Sequence, residues 1–180
     1  LEQISSTAEK LSAGEILQIE KSITRTMTED VYFDMINQKT ASLIATSCEL
    51  GAITTTKSDQ DRQSTHLFGE NLGMAFQIKD DLFDLMGSAS DTGKNGGGDV
   101  KKNMMTLPLI YSTTHMSKSE NRKLRKLLGV KKKNRTVIAQ IRDMIEETGG
   151  FEYARNKLDE FSSNALNAIS VYPDSPVKQS

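Results

Sequence analysis

Gly73-Met74-Ala75-Phe76-Gln77-Ile78-Lys79-Asp80-Asp81-Leu82-Phe83-Asp84 is the stretch on which the reading of this chain turns. At about 100° per residue, Gly73, Gln77, Asp80, Asp81 and Asp84 fall on one side of a helix, and Phe68, Leu72, Ala75, Leu82 and Met86 on the other. The polar side is a face of carboxylates. Asp80 and Asp84 stand one turn apart, roughly 6 Å between their side-chain bases, and Asp81 flanks them. Three anions so close raise one another's pKa and weaken the helix unless a cation neutralises them. Oxygen ligands with no His or Cys beside them suit a hard ion, Mg²⁺ in particular, which binds through one or two carboxylates together with substrate phosphates. The competing reading is a solvated helix face, the commoner origin of an isolated Asp-Asp-x-x-Asp.

Working outward, this helix runs from Ser58 to Met86, with Asp59 and Asp61 near its start. Gly69 and Gly73 inside it cost about 1 kcal/mol each in helix propensity relative to alanine, which points to close approach of a neighbour. Lys79 lies on the apolar side, paired or snorkelling, and His66 is a lone, structural histidine. Upstream, Thr28 to Ile53 opens with a threonine and two acids and contains no proline, so it reads as another helix. Its stripe runs Tyr32, Met35, Ile36, Leu43, Ser47 and Leu50, and Lys39 falls inside it. That lysine either snorkels to the surface or points into a cavity that holds an anion. Thr40, Ala41, Ser42, Ala45 and Thr46 are small, so this helix can line a pocket rather than fill it. A first helix from about Ser5 to Ile23 places Ile4, Ala8, Leu11, Ile16, Ile19 and Ile23 at helical spacing, with a weak point at Gly14. Glu15 and Gln18 in it read as a surface pair.

Downstream, the segment from Gly87 to Asp99 holds five of the twelve glycines and reads as a mobile loop. Its Lys94 sits where backbone and ammonium could wrap a phosphate, although the spacing is not that of the nucleotide-binding loop. Thr106-Leu107-Pro108 opens a helix, with threonine as N-cap and proline in the first turn. Lys118 to Arg135 carries nine basic residues against one acid, Glu120, and reads as a solvated surface, with attraction to anionic lipid as the alternative. Val137 to Thr148 is a further amphipathic helix stopped by Gly149-Gly150. The last helix puts Phe151, Ala154, Leu158, Phe161, Ala165 and Ile169 on one stripe, and residues 173–180 read as a frayed tail.

A chain of 180 residues is long enough for one domain with its own core. A net charge of −1 gives no bias toward nucleic acid. The single cysteine, Cys48, permits no internal disulfide, so a reducing, cytoplasmic compartment is expected. No membrane span and no signal-peptide pattern is present in these residues. Leu1 is not an initiator, and the opening residues read as the middle of a longer chain. No strand pattern emerges, so the expected fold is an all-α helical bundle, with residues 1–172 forming a portion of a single domain.

Taken together, the motifs resemble the C-terminal half of the trans-isoprenyl diphosphate synthases, the polyprenyl synthases. They are Gly14-Glu15-Ile16-Leu17-Gln18, Lys39-Thr40-Ala41, Gly73-x-x-Phe76-Gln77-x-x-Asp80-Asp81-x-x-Asp84, Gly93-Lys94 with Asp99, Thr106-Leu107-Pro108-Leu109, and Gly149-Gly150. The first of these is most like long-chain members such as octaprenyl diphosphate synthases. The resemblance implies an isoprenoid-synthase helical bundle and a Mg²⁺-dependent prenyltransferase that joins an allylic diphosphate to isopentenyl diphosphate. Asp80, Asp81 and Asp84 would form the second aspartate-rich motif and hold the metal. Lys39 and Lys94 would bind diphosphate, with Thr40 and Gln77 lining the catalytic cavity. A homodimer is expected on the same ground, and peripheral membrane contact is possible for release of a lipid product.

Two departures qualify the resemblance. The family carries a lysine two residues before the threonine of Thr-Leu-Pro, where this chain has Met104, so Lys101 or Lys102 would have to substitute. The first aspartate-rich motif and the basic residues for isopentenyl diphosphate are absent, so these residues alone are expected to be inactive. A non-catalytic partner or regulatory subunit of such an enzyme is the alternative. A terpene cyclase is disfavoured, because cyclases resembling this family carry an Asn/Ser/Glu motif where this chain has aspartates.

Overall fold

The computed structural model describes residues 2–87 and 97–179, and among these every regular element is helical. In chain order they are α1 (Glu2–Thr24), α2 (Glu29–Ile36), a π-helical turn (Asn37–Ala41), α3 (Ser42–Ile53), α4 (Asp59–Met86), α5 (Gly98–Lys101), α6 (Leu107–His115), α7 (Lys118–Leu128), α8 (Arg135–Glu147), α9 (Gly150–Ala168) and α10 (Pro176–Gln179). The all-α bundle expected from the sequence is what forms. α4 is its axis, packed most extensively by α3 on one side and α9 on the other.

Glycines set how close these helices lie. A Cβ on Gly73 would stand 2.5 Å from Ala41 Cα, and one on Gly69 2.8 Å from Ala45 Cα, so α4 meets the π-turn and α3 nearly backbone to backbone. Their cost in helix propensity is thus matched by approach distance. Gly150 does the same for α9, where a Cβ would lie 2.5 Å from Pro108 O. The core around them is apolar in the ordinary way. Ile36, Ile78, Leu85, Leu107, Leu124, Ile141 and Ile145 are all buried in one cluster, which is where folding gains most of its free energy.

Local signals place the helix ends. Thr28, Ser58, Ser117 and Asn134 each cap a helix with a side-chain oxygen, and Ser117 with Glu120 closes a full capping box. Thr106 precedes α6 in extended conformation, as expected of an N-cap, yet its hydroxyl caps nothing; it is buried without a hydrogen-bond partner. Gly149 takes φ 74° and turns the chain from α8 into α9.

Several expectations need correction. The apolar positions of α1 do not face the core: Ile4, Ile16, Ile19 and Ile23 are exposed, and the residues it buries are Thr7 and Gly14. α1 approaches through its small residues, because Gly14 must sit against the backbone of Lys39, where a Cβ would lie 2.7 Å from the amide nitrogen. The predicted single helix from Thr28 to Ile53 is broken by the π-turn into α2 and α3. Leu72, assigned to the inner face of α4, is exposed. At the C-terminus, where fraying is expected, α10 forms and Lys178 Nζ donates to Tyr172 O at 2.6 Å. Of the predicted glycine-rich loop, residues 88–96 with Lys94 lie outside the described residues, whereas Gly98 and Asp99, expected in the loop, open α5.

Candidate functional site

The π-turn is the first part of the site. A π-helical residue widens the spiral by one position, and such bulges recur at functional places because they re-aim side chains. Here the turn carries Lys39 and Thr40 toward α4 and α1. Lys39 Nζ donates to Gln18 Oε1 and pairs with Glu15 Oε2 at 2.9 Å. The surface pair read from the sequence is therefore a clamp on Lys39, and Gly14 provides the contact that lets α1 reach it. The lysine that interrupts an apolar stripe points into a cavity.

Across that cavity stands α4. Thr40 donates to Gln77 Oε1 at 2.9 Å, and Gln77 Nε2 donates to Asp81 Oδ1 at 2.9 Å. The other carboxylate oxygen, Oδ2, accepts from the Tyr32 hydroxyl at 2.7 Å. Asp81 is 6% exposed. Burial pushes its pKa up to about 7 although Tyr32 and Gln77 pull it down, and Asp99 and Asp80 push it further up. Burial, and then the Asp81 charge, also hold the Tyr32 hydroxyl well above its usual range. The two groups share a desolvated contact.

Asp84 has a different task. Its Oδ1 accepts from the Gly98 amide at 3.0 Å and its Oδ2 from the Asp99 amide at 2.9 Å, so one carboxylate caps the start of α5. This brings Asp99 beside the aspartates of α4. Burial raises the pKa of Asp99, Asp84 and Asp80 raise it further, and Lys102 and Lys39 oppose them. Lys39, Gln77, Asp81, Asp99, Met104 and Thr106 share the lining of a cavity of about 30 Å³.

The site residues read from the sequence thus divide. Thr40, Gln77 and Asp81 are joined in one hydrogen-bonded chain, Lys39 is held apart from it by Gln18 and Glu15 and shares only the cavity lining, and Asp84 lies at the edge through α5. Asp80 faces solvent one turn away. Among the described residues, no three His, Cys, Asp or Glu side chains converge on one ion position. Lys94 lies outside the described residues. Met104 sits in the cavity wall, with Gln18 Nε2 3.9 Å from its sulfur. Lys102, one of the two lysines considered as substitutes for a charge there, lowers the pKa of Asp99.

Tyr32 and the clamp function of Glu15 and Gln18 were missed from the sequence, as was a site role for Asp99. Tyr32 could have been suspected, since a tyrosine placed in a core stripe must find a partner for its hydroxyl. Nothing local in the sequence marks Glu15 and Gln18 as partners of Lys39, because the contact is made between separate helices.

The Polyprenyl synthetase family model matches residues 1–145, and the chain belongs to that family. It is 27% identical to the octaprenyl diphosphate synthase of Escherichia coli over 179 residues, covering 99% of this chain and 55% of the other. Over 172 residues it is 31% identical to the geranylgeranyl diphosphate synthase of Sulfolobus acidocaldarius, covering 93% of this chain and 52% of that one. The fold superposes on geranylgeranyl pyrophosphate synthetase from Pyrococcus horikoshii with a TM-score of 0.92 and 26% identity, covering 99% of this chain and 54% of that one. A polyprenyl synthase from Caulobacter crescentus, crystallised with calcium and isoprenyl diphosphate, matches at a TM-score of 0.88 and 26% identity, over 97% and 53%. The chain spans about half the length of the curated relatives it matches.

Proposed function

We propose that this chain supplies the second-aspartate half of a Mg²⁺-dependent polyprenyl diphosphate synthase, which condenses isopentenyl diphosphate onto an allylic diphosphate to build a long-chain product. The observation that carries the proposal is that Lys39, Asp81 and Asp99 line one cavity, with Asp84 held at its edge through the Gly98 and Asp99 amides, a lysine opposite carboxylates being suited to a diphosphate held between fixed cations. Asp80 and Asp84, one turn apart with Asp99 beside them, are the donors that fit a hard cation. Mg²⁺ bound there supplies the positive charge that offsets a departing diphosphate. The Caulobacter crescentus polyprenyl synthase, complexed with calcium and isoprenyl diphosphate, supports a divalent cation and a diphosphate as ligands of this fold.

The chain's own residues do the remaining work. Lys39 presents an ammonium to the diphosphate, oriented by Gln18 and Glu15 so that little reorganisation is needed when charge develops. Thr40 and Gln77 fix the wall opposite and keep Asp81 anchored to Tyr32. Lys94 is proposed to close over the phosphates. The polypeptide also needs the first aspartate-rich motif, and this chain alone is proposed to be inactive. A homodimer belongs to the proposal, since the exposed Ile16, Ile19 and Ile23 stripe of α1 suits burial against another helical surface. So does peripheral contact with anionic lipid through the exposed lysines of α7 and of residues 131–132.

Met104 favours a second reading, a non-catalytic partner subunit, because it leaves the cavity one cation poorer than the family pattern. The test is incorporation of labelled isopentenyl diphosphate by the complete polypeptide. Turnover that chelation of divalent metal abolishes, and that Asp80→Ala also abolishes, supports the synthase. A complete polypeptide that binds its subunit but transfers no prenyl group contradicts it and leaves the partner reading.

A further inference from the structure

Lys133 departs from the basic segment around it. Lys131 and Lys132 are exposed, as solvated lysines are, but Lys133 is 8% exposed. Burial lowers its pKa and Arg25 nearby lowers it further, so holding an ammonium there is unfavourable unless it performs a task. Its Nζ donates to Asn103 Oδ1 at 2.9 Å.

Asn103 is the residue at which α5 ends. It has φ 62°, its amide donates to Val100 O at 3.1 Å, and the Met104 amide donates to Asp99 O at 2.9 Å. These two bonds, one spanning three residues and one spanning five, define a Schellman turn with Asn103 in the left-handed position where glycine is preferred. Asparagine accepts that conformation more readily than most residues but is held in it less freely than glycine. The same four-residue helix is gripped at its other end by Asp84, through the amides of Gly98 and Asp99. Asp99 therefore sits between two fixed points, Asp84 on α4 and Asn103 on Lys133.

We infer that Lys133 is a positioning residue for the carboxylate cluster: by holding Asn103 it fixes the turn that ends α5, and so the place of Asp99 beside Asp84 and of Met104 in the cavity wall. Lys133 acts through the turn, by its bond to Asn103. Its consequence for cation binding rests on the proposed function, whereas its consequence for the turn does not.

Four forms of the protein test this: wild type, Lys133→Met, Asn103→Gly, and the double variant. Methionine keeps the length of the side chain and removes the ammonium, and glycine takes the left-handed conformation without help. Hydrogen exchange is followed at the Asp99 and Met104 amides, with the Ile141 amide of α8 as the reference. Lys133→Met is expected to speed exchange at Asp99 and Met104 about tenfold or more while Ile141 is unchanged, and Asn103→Gly in that background to restore protection to within about twofold. Mn²⁺ affinity in the presence of inorganic pyrophosphate, read by electron paramagnetic resonance, is expected to fall about tenfold in Lys133→Met and to recover in the double variant, a rescue that a general packing role does not give.

Unchanged exchange in Lys133→Met overturns the inference, as does a double variant that remains as labile as the single one. If Lys133→Met does not fold, the double variant must fold with both amides protected, and its failure to do so overturns the inference equally. Protection that changes as expected with no change in Mn²⁺ affinity overturns the link to the cation site. A wild type that binds no Mn²⁺ with pyrophosphate instead overturns the proposed function, and the exchange pattern then decides the turn alone.

Discussion

α4 and α8 are both amphipathic helices that bury an apolar stripe, yet α4 buries a carboxylate with it. α8 buries Ile138, Ile141, Met144 and Ile145 and leaves Arg135, Asp143, Glu146 and Glu147 outside, with Arg142 half-buried. α4 buries Asp81 at 6% exposure and leaves Phe76 at 59% and Phe83 at 57%. Lys79 even rests over the exposed Phe83 ring, 5.7 Å from its centroid. α8 is organised by the hydrophobic effect, which is indifferent to which apolar neighbour it meets. The inner face of α4 is organised by individual partners: Tyr32 and Gln77 for Asp81, the α5 amides for Asp84. A buried polar group is tolerable only where each atom is satisfied, so such a face specifies one arrangement of the surrounding helices. It is also the face that carries the chemistry.

The largest effect is expected on the apolar side of this contrast. Ile141→Ala empties a fully buried position and should cost about 4 kcal/mol in urea unfolding; a loss below that of an exposed substitution would show that α8 is not core. Next comes the backbone contact that carries α4. Gly73→Val drives its side chain into Ala41, and about 3 kcal/mol of destabilisation is expected from overpacking. Tyr32→Phe leaves Asp81 with one fewer donor at a buried carboxylate, so a loss of about 1–2 kcal/mol is expected by the same method. Phe76→Ser, although it removes a large aromatic from the axis helix, should change stability by no more than about 0.5 kcal/mol. A large loss there would mean that the exposed face of α4 is packed after all.

The smallest effect concerns α7. Hydrogen bonds from Ser117 lower the pKa of Glu120 below its usual 4.5. Because the folded value is the lower one, the capping contribution is fully present above the unfolded pKa and is lost as pH falls through the folded value. Amide exchange at Ser117 should therefore accelerate at acid pH relative to the α8 amides, and Glu120→Gln should remove most of that pH dependence.

The same contrast explains what could be read from the sequence. Helix α8 and the stripe of α9 follow from spacing alone, because their burial obeys the helical period. Lys39 was recognisable as an intruder in an apolar stripe, and the carboxylates of α4 by their spacing. What spacing could not give was the π-turn, which inserts a residue into the period, or the outward stripe of α1, whose Ile16, Ile19 and Ile23 look like a core face to any rule based on one helix. Gln18, Glu15 and Lys133 were beyond reach for a related reason. Each acquires its meaning from a partner on another helix or loop, and no local pattern encodes that pairing.

The most direct test of the central claim, that the carboxylates along α4 form a cation site for diphosphate, is a Mn²⁺ titration of the complete polypeptide in the presence of inorganic pyrophosphate, comparing wild type with Asp80→Asn/Asp84→Asn. Removing two anionic ligands should weaken Mn²⁺ binding by about a hundredfold or more, with helix content unchanged. Equal Mn²⁺ affinity in the two proteins would contradict the account, and α4 would then be a helix whose acids serve only to cap α5 and to meet solvent.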